Sequence, residues 1–150
     1  MSTRTRHRVT GRLLPIDPGG RVLLLHGYDP SRRDQPFWFT VGGAIDDGES
    51  TAQAAAREAY EETGLSVTAA DLVGPVWSAT TSFQFDGRSF VQEQDFYLVH
   101  VQPFEITLDG MEEYERGTVD GHGWWTPAEL TATQERYYPV DLPTRLRDAF

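Results

Sequence analysis

The segment from Ser50 to Thr63 restricts the fold more than any other part of the sequence. Ser50 and Gln53, three residues apart, have the pattern of a capping box, and Gly64 suits the left-handed end of a helix. Alanine is frequent in between and favours the helical state, so we predict an α-helix here. One stripe of small side chains predicts that the helix backbone lies close against a sheet; it consists of Ala52, Ala55, Ala56 and Ala59.

The same helix carries a second stripe, which is acidic. Glu58, Glu61 and Glu62 are spaced i, i+3 and i+4, so their carboxylates project from neighbouring positions about one turn apart. Like charges at this spacing oppose helix formation by about 0.2–0.5 kcal/mol per pair, and Arg57 can offset only part of that cost. A hard divalent cation would neutralise the cluster. The alternative is a solvated acidic face that binds nothing.

Length and composition indicate a single domain over residues 1–150. The chain has 150 residues, of which 39% are hydrophobic and 12% aromatic, which suffices for one core. It has no cysteine, which excludes disulfides, thiolate zinc sites and a cysteine nucleophile. The longest apolar run, Val22 to Leu25, is far too short to span a membrane. The arginine-rich start lacks the apolar stretch of a signal peptide, so we expect a cytoplasmic protein.

The charge balance is strongly acidic, with a net charge of −10 from 23 Asp and Glu against 13 basic residues, all of them Arg. Binding to duplex nucleic acid draws on a basic surface, so the balance argues against that partner. An acidic enzyme can still act on a phosphorylated substrate when bound cations supply positive charge. The alternative is that the acidity only keeps the protein in solution.

Most of the remaining chain has strand patterns. The Arg and Thr residues that alternate at the start are typical of an edge strand. Turn residues at 17–20 and at Asp86-Gly87 predict two hairpins. Their arms are the segments Val9 to Ile16 with Arg21 to His26, and Ser82 to Phe85 with Ser89 to Val101.

The other segments are shorter. We expect strands at Phe37 to Phe39 and Trp124-Trp125, extended chain at Leu65 to Val67 and Leu72 to Trp77, an exposed loop from Asp109 to His122, and helices at Pro127 to Leu130 and Leu142 to Phe150. Strands on both sides of one firm helix, with more helix at the end, indicate an α/β (α+β) fold in which helices sandwich a mixed sheet.

A longer motif runs through the predicted helix. From Gly43 to Leu65 the sequence reads GAIDDGESTAQAAAREAYEETGL. It resembles the signature of the Nudix hydrolases: Gly, five residues, Glu, seven residues, Arg-Glu, an aliphatic residue, any residue, Glu-Glu, any residue, Gly and an aliphatic residue. All seven fixed identities are present, a match expected by chance about once in a hundred million starting points. The resemblance implies an α/β/α sandwich with a mixed central sheet.

The resemblance also implies roles for individual residues. Glu58, Glu61 and Glu62 would bind Mg²⁺ or Mn²⁺ together with the carbonyl of Gly42, and Arg57 would orient a glutamate. Glu49 would support Arg57. The sequence departs from the family pattern at Val41, where Pro is common, and at Ala59, which is a small residue at the aliphatic position. Neither departure removes a ligand.

The implied reaction is hydrolysis of a nucleoside diphosphate linked to another moiety, with water attacking phosphorus. Family members differ in their general base; we favour Glu58, with Glu115 second. For substrate contact the candidates are Arg32, Arg33 and Trp38, although surface arginines are commonly only solvated and strand aromatics commonly lie in the core.

Two other functions stay open. A nucleotide-sensing module would keep the fold without cutting its ligand, but it has no evident reason to retain repelling glutamates. A plain acidic scaffold would not respond to divalent cations. The expected partner is a small nucleotide or nucleotide derivative, with no membrane and no duplex nucleic acid, and the resemblance is compatible with a homodimer.

Overall fold

The computed structural model describes residues 5–111 and 118–149. In chain order its elements are β1 (Arg6–Ile16), β2 (Val22–Gly27), β3 (Phe37–Ala44), α1 (Thr51–Thr63), β4 (Val73–Phe85), β5 (Arg88–His100), β6 (Val119–Trp125), α2 (Pro127–Ala132), β7 (Arg136–Tyr138) and α3 (Leu142–Ala149), with a short 3₁₀ turn at Ala69–Asp71. None of the helices in these ranges combines the length and the apolar character that crossing a membrane requires.

A curved mixed sheet forms the centre of the fold. Its order is β4-β5-β1-β2-β3-β7, and β6 pairs with β2. Strands β1 and β5 run parallel from Arg6↔Phe90 to Ile16↔His100, whereas β4 and β5 are antiparallel. The mixed sheet is the architecture that the sequence predicts.

Helices cover both faces of this sheet. Leu13 packs in one core cluster with Ala55 and Ala59 of α1. Leu14, the next residue of β1, packs in a second cluster that includes residues of α2 and α3. Because successive side chains of a strand point to opposite faces, α1 lies on one face and the two C-terminal helices lie on the other. The α/β/α sandwich is therefore confirmed.

The prediction of an edge strand at the start of the chain is wrong. Strand β1 is interior, since β5 pairs along its whole length and β3 pairs with residues 10–13 on the other side. The arginines that suggested an exposed edge have partners inside the sheet: Arg8 and Arg12 donate to the side chains of Gln92 and Gln94 on β5. Charged side chains can occupy an interior strand when a neighbouring strand supplies acceptors.

The two predicted hairpins differ in outcome. The β4–β5 hairpin is present, and its turn has Asp86 at φ 52° and Gly87 at φ 73°, the left-handed pair that tight hairpin turns require. The first turn also forms, but β1 and β2 pair only at Ile16↔Val22. Strand β2 then leaves β1 and pairs with β3 and β6, so a local turn signal did not predict the long-range pairing.

The C-terminal part contains more strand than we predicted. Residues 119–122, expected in an exposed loop, belong to β6, and Met111 in the same expected loop is buried. Strand β7 was not predicted; its three residues pair with β3. The segment Leu65 to Val67 contains no strand. The two short helices are found close to their predicted positions.

Helix α1 has the ends and the packing that its sequence predicts. The Ser50 side chain accepts from Gln53 N in a complete capping box, and Gly64 ends the helix at φ 81°. A side chain on Gly11 of β1 would place its Cβ 1.8 Å from the carbonyl oxygen of Thr51. The helix backbone therefore touches the strand backbone, with buried alanines on that side: Ala54, Ala55, Ala56 and Ala59.

This close approach predicts a large effect of Gly11→Ala. The added methyl would meet the backbone of α1 and not a movable side chain, so we expect the free energy of unfolding to fall by about 3 kcal/mol or more. Urea denaturation measures it. Gly121→Ala is the matched control, because a Cβ there meets only the His26 Cβ at 3.9 Å, and we expect a change below about 0.5 kcal/mol. Equal effects of the two substitutions would contradict the packing argument.

Candidate active site

The motif from Gly43 to Leu65 spans the end of β3, a loop and helix α1. The loop closes on itself: Glu49 N donates to the Asp46 carbonyl at 3.0 Å, and Asp46 N donates to Glu49 Oε1 at 2.9 Å. Gly48 occupies the left-handed region at φ 78°, which glycine reaches without strain. This turn directs the Glu49 carboxylate back toward α1.

Arg57 connects the loop, the strand and the helix. Its Nε and Nη2 donate to the two carboxylate oxygens of Glu49 at 2.9 and 3.0 Å, and Nη2 also donates to the carbonyl of Ala44 at 3.0 Å. The remaining nitrogen, Nη1, donates to Glu58 Oε1 at 3.0 Å and Glu61 Oε2 at 3.3 Å. The expected contact between Glu49 and Arg57 is therefore present, and Arg57 also touches two of the three motif glutamates.

These contacts shift the titration of both partners. The side-chain hydrogen bond from Arg57 lowers the pKa of Glu49, against the opposing effect of burial. The hydrogen bond to Glu49 in turn raises the pKa of Arg57 further above its ordinary value. A bidentate pair of this kind is among the stronger charge-assisted hydrogen bonds in proteins. The loop and the helix are thus held together by a charge pair that stays ionised at neutral pH.

The three glutamates of α1 lie at different depths. Glu61 is the most open, with 36% of its side chain exposed, and Glu58 keeps 14%. Glu62 is only 4% exposed, and its Oε1 accepts from Gly42 N at 2.7 Å. Glu62 is held against the strand because β3 bends at Gly42, where φ is 133°. The bend directs the backbone N–H of Gly42 at the helix.

The two glycines at the end of β3 lie close to neighbouring groups on both α1 and β1. A Cβ on Gly43 would lie 2.7 Å from Glu58 Cδ. A Cβ on Gly42 would lie 2.2 Å from the carbonyl oxygen of Gly11. At Gly42 the added carbon would meet the backbone of β1, and at Gly43 it would displace the carboxylate of Glu58, which rests directly on the strand.

Arg12 of β1 is a site residue that the sequence reasoning missed. Its Nη1 donates to the carbonyl of Gly42 at 3.1 Å and to that of Thr40 at 3.4 Å. Burial lowers the pKa of Arg12 to about 10, although the charges of Glu62 and Glu58 act in the opposite direction. One sequence feature could have indicated Arg12: it is a charged residue directly before the apolar pair Leu13-Leu14, inside a predicted strand.

The donor set fits a hard divalent cation in its chemistry. Three carboxylates and one backbone carbonyl are the oxygen ligands that Mg²⁺ and Mn²⁺ prefer. They are not gathered around one point: in the described residues, no three acidic or imidazole side chains converge closely enough to hold a metal ion. Arg57 and the Gly42 backbone hold the carboxylates instead, and the Gly42 carbonyl accepts from Arg12.

The other predicted site residues lie elsewhere. Arg32 and Arg33 are exposed on the loop after β2, with the Arg33 guanidinium 5.4 Å from the Tyr28 ring. Trp38 packs with the second cluster, on the sheet face opposite α1, and its Nε1 donates to Glu135 at 3.2 Å. Glu115 lies outside the described residues.

Comparison with known proteins gives the family. The family model described as NUDIX domain matches residues 5–143 of this chain. The chain therefore belongs to the Nudix family. A putative 8-oxo-dGTP diphosphatase from Bacillus subtilis (strain 168) is 29% identical over 99 residues, which are 66% of this chain and 56% of that protein. A CTP pyrophosphohydrolase from Escherichia coli (strain K12) is 30% identical over 136 residues, 90% of this chain and 85% of that protein.

Solved structures agree on the fold. The crystal structure of a MutT protein from Methanosarcina mazei Go1 has a TM-score of 0.66 and covers 99% of this chain and 96% of its own. It is 18% identical, so the likeness supports the fold alone. The family and the sandwich architecture that the motif implied are both confirmed.

The charge pair between Glu49 and Arg57 predicts how Glu49→Gln acts at different pH values. Since the folded-state pKa of Glu49 lies below its ordinary value of 4.5, its stabilisation is fully present above that pH and is lost as the pH falls through the folded-state pKa. We expect the substitution to lower the free energy of unfolding by about 1–3 kcal/mol at pH 7, with a shrinking difference in acid.

Denaturant titrations of the variant and the unmodified chain between pH 7 and pH 3 measure this difference. Asp47→Asn removes an exposed carboxylate from the same loop and serves as the control, with little change at any pH. A cost of Glu49→Gln that stays constant over the whole pH range would contradict the argument.

Proposed function

We propose that this chain is a metal-dependent Nudix hydrolase that cleaves the phosphoric anhydride of a nucleoside diphosphate linked to another moiety. The observation that carries the proposal is the glutamate set of α1, held at the end of β3 by Arg57 and Gly42. Family membership supports it, and so do the names of the two relatives, a diphosphatase and a pyrophosphohydrolase.

Glu58, Glu61, Glu62 and the Gly42 carbonyl are the proposed ligands of Mg²⁺ or Mn²⁺. When bound, such an ion supplies positive charge for the diphosphate oxygens and lowers the pKa of a coordinated water. Arg57 neutralises Glu58 and Glu61 in the described structure, which lowers the repulsion between carboxylates. Its bidentate contact with Glu49 keeps the guanidinium in place beside them.

For the general base we propose Glu58, with Glu115 as the second candidate. The carboxylate of Glu58 lies against Gly43 and is mostly shielded from solvent. Its oxygens therefore provide a proton acceptor at the end of β3. It would take a proton from the attacking water as the new phosphorus–oxygen bond forms. The bridging phosphorus–oxygen bond then breaks, and the leaving phosphate takes up a proton.

The substrate class is a nucleotide derivative. The names of both relatives mention a nucleoside triphosphate, so these compounds and nucleotide sugars or dinucleotides are the first to test. Arg32, Arg33 and Trp38 are proposed to contact the substrate. A cytoplasmic location and a homodimer stay predictions from the sequence.

The main alternative is a nucleotide-sensing module that binds without cutting. Release of phosphate, pyrophosphate or nucleoside monophosphate from a panel of nucleotides with Mg²⁺ or Mn²⁺ distinguishes the two functions. Binding without any product would favour the sensing module.

Glu61→Gln is the sharpest test of the hydrolase. Glu61 is the most exposed of the three glutamates, so its replacement leaves the core unchanged, whereas Glu62→Gln would also alter a buried hydrogen bond. With Mg²⁺ and the best substrate of the panel, we expect kcat to fall by about a hundredfold or more. Steady-state kinetics measures it.

Glu105→Gln is the matched control, since Glu105 is an exposed carboxylate on a loop outside the motif. It should keep the activity of the unmodified chain, and thermal unfolding should show both variants folded. Full activity of Glu61→Gln in a panel that the unmodified chain hydrolyses would refute the role of the motif.

A further inference from the structure

A row of paired polar side chains crosses β1 and β5 beside the site. Arg8 donates through Nε to the side chain of Gln92, and Arg12 donates through Nε to Gln94 Oε1 at 3.2 Å. Both glutamines are buried. We call these four residues the arginine–glutamine ladder. They lie at even spacings from Leu14 on β1 and Phe96 on β5, so they share the sheet face opposite α1.

The ladder fixes the orientation of Arg12. Gln94, which accepts from Arg12, also donates from Nε2 to Thr81 Oγ1 of β4 at 3.3 Å. Through Gln94 the guanidinium is thus linked to β5 and, indirectly, to β4. Its Nη1 atom binds the carbonyls of Thr40 and Gly42 on β3. A side chain held in this way loses little further entropy when it binds a ligand.

Arg12 and Glu62 both form hydrogen bonds to the backbone of Gly42. Gly42 donates its N–H to Glu62 and accepts at its carbonyl from Arg12. The Arg12 guanidinium also feels the charges of Glu62 and Glu58. A cationic group therefore lies at the carbonyl of Gly42, one of the proposed ligands, where it attracts an anionic substrate.

One nitrogen of Arg12 is available to a ligand. Nε and Nη1 make the three hydrogen bonds named above, whereas Nη2 makes none to any residue in the described ranges. Within those ranges, no side-chain nitrogen or oxygen of a buried or half-buried residue lacks both a partner and solvent contact, and Arg12 is half-buried, so Nη2 keeps some contact with solvent. The planar fork of a guanidinium matches the oxygens of a phosphate group.

We propose that Arg12 binds a phosphate oxygen of the substrate beside Gly42. The inference rests on the proposed function, because it takes the substrate to be a diphosphate. It assigns to β1 a substrate-contacting residue outside the Nudix motif. The competing explanation is that Arg12 is only a positioning residue that holds the Gly42 carbonyl for the metal ion.

Calorimetric titration of the whole chain with methylenediphosphonate, a diphosphate that cannot be hydrolysed, separates these explanations. The titration is made with saturating Mg²⁺, and Mg²⁺ alone is titrated in parallel. The variants are Arg12→Gln and Arg12→Lys. Arg145→Gln is the control, because Arg145 is an arginine of α3 in a surface pair with Asp141. Thermal unfolding checks that each variant is folded, and Arg12→Lys keeps the test valid if Arg12→Gln does not fold.

We expect Arg12→Gln to weaken methylenediphosphonate binding by about ten- to a hundredfold, the loss typical of a charge-assisted hydrogen bond. Arg12→Lys should be intermediate, since it keeps the charge but not the fork. Mg²⁺ affinity without the diphosphonate should change by less than about twofold, and in hydrolysis assays KM should rise more than kcat falls.

Three results would overturn the proposal: unchanged methylenediphosphonate affinity in both Arg12 variants, an equal loss of Mg²⁺ affinity, or no binding of methylenediphosphonate by the unmodified chain. The outcome is independent of turnover. A chain that binds the diphosphonate through Arg12 but hydrolyses no nucleotide would support this inference and refute the hydrolase.

Discussion

The rest of the site depends on the contacts of one guanidinium. Arg57 binds both oxygens of Glu49, the carbonyl of Ala44 and the carboxylates of two motif glutamates. Carboxylates this close repel one another unless a positive charge lies between them. Because the same guanidinium also ties the loop to the strand, the charge balance of the site and the shape of the backbone around it have a common cause.

Glycine determines how closely the acidic helix can approach the sheet. Gly11 admits the first turn of α1, Gly43 admits the carboxylate of Glu58, and the bend at Gly42 directs an N–H at Glu62. An added methyl group at Gly11 or Gly42 would meet the backbone of a neighbouring element, and one at Gly43 would displace the Glu58 carboxylate. The motif therefore combines two requirements. It needs acidic side chains at helical spacing, and it needs glycine residues on the strand where the carboxylates contact it.

Local features of the structure could be predicted from the sequence, whereas long-range ones could not. The cap at Ser50, the end at Gly64 and the turn at Asp86-Gly87 each depend on a few neighbouring residues. The interior position of β1, the pairing of β2 with β6 and the burial of Glu62 depend on residues far along the chain. For the same reason the motif predicted the glutamates of the site but not Arg12, whose partners come from β3 and β5.

The contacts of Arg57 also determine what would change if a divalent cation bound as proposed. Its Nε and Nη2 are committed to Glu49 and Ala44, and only Nη1 reaches Glu58 and Glu61. Glu58 and Glu61 could therefore exchange the guanidinium for the proposed metal ion while Arg57 stays anchored. The proposed metal ion would then replace one positive charge beside these carboxylates by another, so their mutual repulsion would stay offset.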